Sequence, residues 1–516
     1  MLLSLLSKRP WPPVLGIFAV VSVIWHSFET YSNQDHLIHG QHWSSALLQK
    51  LYLDLKKFMH LAPTEKFPYL PEHVTPTTIQ YCLRQNDKFS SIIVTSVRKN
   101  KIGNGNGLLG TVWQLHLTYD TTNGQPAGPS TLVLKLMNHG FRSNLMGRIA
   151  NVSANECFFY RDGLATDIPG FRTPVCYYTG WRPGYQHFCL LLEDLSHMKT
   201  GAILETEGIS ASNACLVLKQ VARFHARFFN CVREKGPHWI GRPHDTQRYK
   251  YFPHYVQGNA EATLYRMKEL EQINILPMGT LTEDVQQFVR NLASKYLKTA
   301  QFNVPVELGG QHHRTIILGD LRGGNIFLPS NDIEETDIEE TDGTTNDGGS
   351  NPLQDFNTSG VTLYDFQLCR EGCPAEDIDW FLGSVSNEVR QKHGKRIVRT
   401  YYEELIRNGV DPIQYPWHRL VYEIALYTSS QLWTIQLLDP RFLTIQEMEQ
   451  SFLNRDNTNT IVDFEKITRS LRSKWSREFS MFQEFNSAKI AELAYACSPG
   501  CPSPEQYLPL LPSEWL

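Results

Sequence analysis

At 516 residues the chain is longer than one average domain, and 41% hydrophobic with 11% aromatic residues marks it as globular. A net charge of −4 argues against nucleic acid or another polyanion as partner. The ten cysteines do not by themselves fix a redox compartment.

Residues 1–28 contain no acid, carry Lys8 and Arg9, and run apolar from Trp11 to Trp25, interrupted by Ser22 and two prolines. They are expected to form a targeting or anchoring segment. A membrane anchor, with Trp11, Trp25 and Phe28 at the interface, is the leading reading, which places the protein in the endomembrane system; a signal peptide and an organelle presequence are the alternatives. Residues 29–75 read as a connector, with helical spacing over Ser44–Met59 and then Pro63, Pro68, Pro71 and Pro76.

The folded body is predicted from about Thr75. Residues 76–195 form its first part, opening with a short helix over Thr77–Arg84 and a strand over Ser91–Val97. Between two strand-like runs lie Gly103, Gly105, Gly107 and Gly110, where the absence of a Cβ lets backbone N–H groups approach phosphate oxygens. A flexible hairpin would look the same, and a dinucleotide fold would continue into a helix instead of a strand. Thr131–Met137 is an apolar strand holding one charge, Lys135, which needs a partner if buried. Such a lysine taken alone snorkels outward more often than it binds phosphate, but its place after the glycine loop reverses that reading. Glu156, beside the apolar run Cys157–Tyr160, is the acid expected to meet it. Phe188–Leu195 is an apolar strand with acids near its end, read as a hinge at which backbone groups around Glu193 and Leu195 receive an adenine.

Residues 196–490 form the second, mainly helical part. Cys215–Phe229 is an amphipathic helix whose face carries Leu218, Val221, Ala222, His225 and Phe229, with His225 expected as a satisfied core histidine. Ile316–Phe327 then gives strand, Asp320, Asn325 five positions on, and strand. That spacing sets a carboxylate against an acceptor hydroxyl and an amide oxygen near a magnesium ion. Seen alone, the stretch is equally an ordinary solvated turn. Residues 329–360 lack Lys and Arg, repeat Asp-Ile-Glu-Glu-Thr, and read as a disordered acidic insertion. Beyond them Asp365 follows an apolar strand, as a magnesium-binding carboxylate would. Asp377 and Asp379 are expected to cap a helix over Trp380–Val389. Cys369/Cys373 and Cys497/Cys501 share a Cys-x3-Cys spacing that permits zinc or disulfides without pointing strongly to either. Residues 491–516 are a proline-rich tail expected on the surface.

In this order the pieces resemble the aminoglycoside phosphotransferase and choline kinase superfamily, nearest its ecdysteroid-kinase-like branch. The likeness spans roughly residues 75–440 and rests on Ile102–Val112, Thr131–Met137, Asn155–Tyr160, Leu190–Leu195, Val221–Phe228, Leu318–Phe327, Tyr364–Leu368 and Pro374–Leu382. The resemblance implies an α+β, two-lobed, protein-kinase-like fold with a small β-rich N-lobe and a larger helical C-lobe. It implies ATP and Mg2+ as cofactors, Lys135 on the α/β-phosphates and paired with Glu156, Asp320 orienting or deprotonating the acceptor, and Asn325 and Asp365 on the metal. The family's usual His-Gly-Asp is here Leu318-Gly319-Asp320, which admits a second reading, a membrane-tethered pseudokinase without turnover. The short run from Asp365 to Pro374 leaves no room for a peptide-seating activation segment, so a small hydroxylated molecule is the expected acceptor and a protein the less favoured one. Aromatic residues of the C-lobe suit an alkylammonium box or plain core packing.

Overall fold

The computed structural model describes residues 66–102, 110–122, 127–137, 152–182, 187–199, 208–241, 260–272, 276, 278–291, 313–329, 360–431, 476–477, 479–496 and 502–516. The anchor segment, the connector as far as residue 65, Gly103, Gly105 and Gly107, most of the acidic insertion, and Cys497 and Cys501 lie outside the described residues. The chain divides into two compact units, and the elements below belong to the one comprising Phe67–Asn138 and Asn144–Leu516.

The N-terminal half of this unit is an antiparallel sheet of β1 (Val94–Ile102), β2 (Gly110–Tyr119), β3 (Thr131–Met137), β4 (Cys176–Arg182) and β5 (His187–Glu193), in spatial order β1-β2-β3-β5-β4. Strand alternation sorts its faces. Leu132, Leu134 and Leu136 of β3 are buried against Leu115 and Leu117 of β2 and against Ile79, Cys82 and Leu83 of helix α1 (Pro76–Leu83). Lys135 points to the opposite face, level with Val112 on one side and Leu190 on the other. The helix starts where Thr75 and Thr78 form a reciprocal capping box ahead of Pro76 at N1. Packing reaches further back than the expected boundary near Thr75: Tyr69 is 3% exposed and stacks on His187, and Lys99 donates to the Pro71 carbonyl. Helix α2 (Val152–Arg161) packs on β4 and β5.

The C-terminal half is helical around a second, larger core. Ser210 caps α3 (Ala211–Phe228), which is buried over most of its circumference and packs along α7 (Asn387–Arg407). Helices α4 (Ala260–Gln272) and α5 (Glu283–Asn291) lie in sequence before the Ile316–Phe327 stretch, and α6 (Pro374–Leu382), α8 (Trp417–Gln431) and α9 (Ser487–Ala496) after it. Together the halves form an α+β, two-lobed, kinase-like fold.

Two expectations, a helix and the tail, are corrected, and the strands flanking Asp320 find separate partners: β6 (Thr315–Ile317) pairs with β9 (Arg370–Gly372), and β7 (Ile326–Phe327) with β8 (Thr362–Leu363). The stretch is therefore pinned to the later Asp365 segment on both sides. The helix expected over Trp380–Val389 is two helices, because Pro374 starts α6 earlier and the Ser386 hydroxyl, accepting from the Val389 amide, starts α7. Asp377 and Asp379 consequently lie inside α6, whose N-cap is Cys373. The tail is not superficial either: Tyr507 and Trp515 are 2% and 3% exposed, and Gly394 leaves room for the Trp515 ring, which a Cβ there would approach to 3.0 Å. Cys369 and Cys373 are buried free thiols, with the Cys373 Sγ donating to Glu423.

Candidate active site

Lys135 leaves β3 on the face turned from the N-lobe core and meets two carboxylates. Its Nζ donates to Glu156 Oε1 at 2.9 Å and Oε2 at 2.7 Å, and to Asp365 Oδ1 at 2.9 Å. All three side chains are at most 15% exposed. Burial works against the Lys135 ammonium, but Asp365 and Glu156 outweigh it and raise its pKa. Burial raises Glu156 above the ordinary carboxylate range; Lys135 draws it down while the Asp365 charge pushes it up. Two carboxylates facing one ammonium leave an excess negative charge, which favours a further cation.

Asp365 sits at φ +69°, a left-handed conformation that aspartate tolerates better than most residues. The next ring, Phe366, stacks on Phe159 of α2 with centroids 3.7 Å apart. Gln367 Nε2 donates to Asp365 Oδ2 at 3.0 Å, and Asn155 Nδ2 donates to the carbonyls of Gln367 and Cys369. The helix that supplies Glu156 is thereby tied to the segment that supplies Asp365.

In the Ile316–Phe327 stretch Asn325 Nδ2 donates to the Asp320 carbonyl at 2.8 Å and to Asp320 Oδ2 at 2.9 Å. With the amide nitrogen so engaged, Asn325 Oδ1 remains as its acceptor. The Tyr364 amide donates to the Asn325 carbonyl at 3.2 Å, and the Tyr364 hydroxyl donates to the Gly324 carbonyl. These bonds bring Asp320 and Asn325 together with the Asp365 segment, 40 residues further on in the case of Tyr364 and Gly324.

The support beneath Asp320 is a set of residues that sequence spacing did not reveal. Asp377 accepts the amide hydrogens of Leu318 at 2.6 Å and Gly319 at 2.8 Å. His225 Nε2 lies 3.1 Å from the same carboxylate, and its Nδ1 lies 2.8 Å from the Tyr401 hydroxyl. Since a carboxylate only accepts, Nε2 carries the hydrogen. His225 is thus a fully buried, satisfied core histidine, as expected, and also a prop for the loop. The Gly323 amide donates to Ser384 Oγ at 2.7 Å. Gly319 is at φ +79°, and a Cβ there would collide with the Leu368 carbonyl. The Leu318 side chain is 4% exposed and packs in the C-lobe core. Only the acidic pair in Asp377-Ile378-Asp379 hinted at this support.

At the expected hinge the Glu193 carboxylate is occupied structurally: it accepts the Val175 amide at 3.1 Å and lies 3.6 Å from Arg172. The Glu193 amide donates to the Val175 carbonyl. The Leu195 carbonyl accepts the Met198 amide at 2.9 Å, and the Leu195 amide has no acceptor among the described residues. Any role of Glu193 and Leu195 toward a base therefore falls to the backbone, and Leu195 N–H is the donor suited to it.

A β-rich lobe carrying a buried lysine–glutamate pair, joined to a helical lobe carrying Asp320, Asn325 and Asp365, defines a kinase-type fold. The model of the ecdysteroid kinase-like family matches residues 104–341 and 352–411, and the chain belongs to that family. It is 25% identical over 231 residues to the 4-hydroxytryptamine kinase of Psilocybe cyanescens, covering 44% of this chain and 52% of that protein, so the match spans about half the length of the relative. Similar solved structures include a microcompartment-associated aminopropanol kinase, at 11% identity and TM-score 0.40 over 78% of this chain and 96% of the other. A choline/ethanolamine kinase family protein from Mesorhizobium loti has 12% identity and TM-score 0.33, over 78% and 98%.

Proposed function

We propose that this protein transfers the γ-phosphoryl group of ATP, with Mg2+, to a hydroxyl of a small organic molecule. The observation that carries the reading is the junction of Lys135, Glu156 and Asp365 beside a loop that fixes Asp320 and Asn325 against each other. The kinase named among the relatives acts, by its name, on a hydroxylated tryptamine, which supports a small hydroxylated acceptor for this chain as well.

The donors present suit magnesium. Asp365 offers carboxylate oxygens, Asn325 offers Oδ1, and the surplus negative charge around Lys135 favours a divalent cation. Mg2+ is commonly held by one or two protein oxygens together with substrate phosphates, so the pair suffices without a cage of carboxylates. When bound, the ion neutralises charge on the β- and γ-phosphates. Lys135, held by Glu156, is the α/β-phosphate contact. Asp320, fixed by Asn325 at 2.9 Å, orients the acceptor hydroxyl and receives its proton.

The alternative, a nucleotide-binding protein without turnover, rests on Leu318. Loop support through Asp377 uses the Leu318 amide and not its side chain, which favours the active reading. The apolar run within residues 1–28 supports a membrane-anchored form. The deciding experiment measures ATP consumption by the full chain with Mg2+ against pooled hydroxylated metabolites, beside Asp320→Asn. Pool-dependent consumption lost in the variant is the expected result; MgATP binding with no pool-dependent consumption supports the alternative.

A further inference from the structure

An ammonium has three N–H donors, and Lys135 commits all three: two to the Glu156 oxygens at 2.9 and 2.7 Å and one to Asp365 Oδ1 at 2.9 Å. Contact with an α- and a β-phosphate oxygen takes two of them. One donor is then left for Glu156, and one of its oxygens goes without. The Glu156 side chain is 2% exposed, and a buried carboxylate oxygen stripped of its donor is costly. Asp365 loses Lys135 as well, but it keeps Gln367 and is the side chain that faces the metal.

A replacement donor lies one turn along the same helix. Tyr160 follows Glu156 at i+4 on α2, which puts the two on one face. Its ring packs edge-on against Phe366, the neighbour of Asp365, with centroids 5.7 Å apart. The Tyr160 hydroxyl oxygen is fully enclosed and has no hydrogen-bond partner among the described residues. Burial, and after it Glu156, Cys176 and Asp365, push its pKa well above the ordinary tyrosine value, so it stays protonated and able to donate. Packing alone does not call for this hydroxyl, since phenylalanine fills the same ring space without burying an idle polar group.

We propose that Tyr160 is a positioning residue whose hydroxyl donates to Glu156 when nucleotide phosphates draw on Lys135, an assignment resting on the nucleotide-binding reading above. The donors then balance. Lys135 gives two hydrogens to the phosphates and one to Glu156, Tyr160 gives one to the other Glu156 oxygen, and neither oxygen is left bare. Tyr160 touches neither nucleotide nor acceptor in this role; it acts through Glu156, which stays charged and keeps Lys135 aligned on the phosphates.

Tyr160→Phe removes the hydroxyl and keeps the ring, and the free and nucleotide-bound states of the full chain should respond in opposite directions. Without nucleotide the variant is expected to have a denaturation midpoint at or above that of wild type, because the lost hydroxyl had no partner there. Calorimetric titration with MgADP should show binding about tenfold weaker than wild type, the fold-change that loss of one hydrogen bond to a charged group produces. A role in packing alone would lower midpoint and affinity together. A loss of MgADP affinity below about threefold, or a lowered midpoint without nucleotide, overturns the proposal. An unchanged affinity in a variant that binds MgADP leaves the nucleotide reading standing, whereas failure of wild type to bind MgADP overturns that reading and the role of Tyr160 with it.

Discussion

The carboxylate of Asp377 accepts the amide hydrogen of Leu318 at 2.6 Å, so the residue that departs from the family's usual histidine is held by its backbone. The side chain at 318 contributes core packing, and the carboxylate from α6 contributes loop geometry. Asp377→Asn puts a donor where an acceptor is needed and is expected to lower turnover about 100-fold through misplacement of Asp320. Leu318→His buries a polar ring among apolar neighbours and should cost about 1–3 kcal/mol without raising turnover. Denaturation curves and ATP consumption on the same preparations check both.

Lys135→Met leaves Glu156 and Asp365 buried and facing each other without a cation. A loss of about 3 kcal/mol in stability is expected, together with loss of the rise in melting temperature that MgATP gives wild type. Asp365→Asn removes one of the two charges instead of the cation. It should melt close to wild type while losing the magnesium dependence of ATP binding, as thermal shift with and without Mg2+ will report.

The pairing of α3 with α7 has a pH signature. Arg223 Nε lies 2.8 Å from Glu404 Oε1, and the Glu404 side chain is 3% exposed. Burial alone would raise the Glu404 pKa, but the hydrogen bond and charge of Arg223, followed by Arg407 and Asn408, hold it below its usual 4.5. A depressed carboxylate contributes stability above its unfolded pKa and loses it as the pH falls through the folded one. Glu404→Gln should therefore be less stable than wild type by about 2–4 kcal/mol at pH 7, with the gap closing as the pH drops below about 4.5. Urea titrations from pH 7 to pH 3 test the sign and the window.

Trp515 anchors the C-terminus: its carbonyl accepts from Trp417 Nε1 at 2.7 Å and its own Nε1 donates to Glu484 at 3.1 Å. Trp515→Ala is expected to cost about 3–5 kcal/mol, and Gly394→Leu, which fills the space of the ring, should likewise destabilise by displacing the tail. Protease sensitivity of the tail beside denaturation midpoints distinguishes undocking from general unfolding.

Much of the site was legible because its residues break local patterns. Lys135 is a lone charge in an apolar strand, Glu156 precedes an apolar helical run, and Asp320 and Asn325 lie five apart between two apolar segments. The helices fared less evenly. α3 was visible from its apolar spacing, whereas Pro374 starts one helix ahead of the one expected over Trp380–Val389 and Ser386 starts another inside that range. The tail was misjudged because its prolines imply a surface path, while Trp515 packs against a glycine more than 100 residues earlier in the chain and Tyr507 stacks on Tyr422.

By itself the sequence determined the α+β, two-lobed, kinase-like layout and the identities of Lys135, Glu156, Asp320, Asn325 and Asp365, since strand alternation, helix period and short-range spacing are local properties of a chain. Tertiary structure alone decided what holds them in register: Asp377 and His225 beneath the loop, Asn155 between α2 and the Asp365 segment, and the pairing of β6 with β9. The long-range partners among these are joined across 53 to 214 residues of chain, a separation that leaves no periodicity to read and is fixed only when the buried polar groups must find one another.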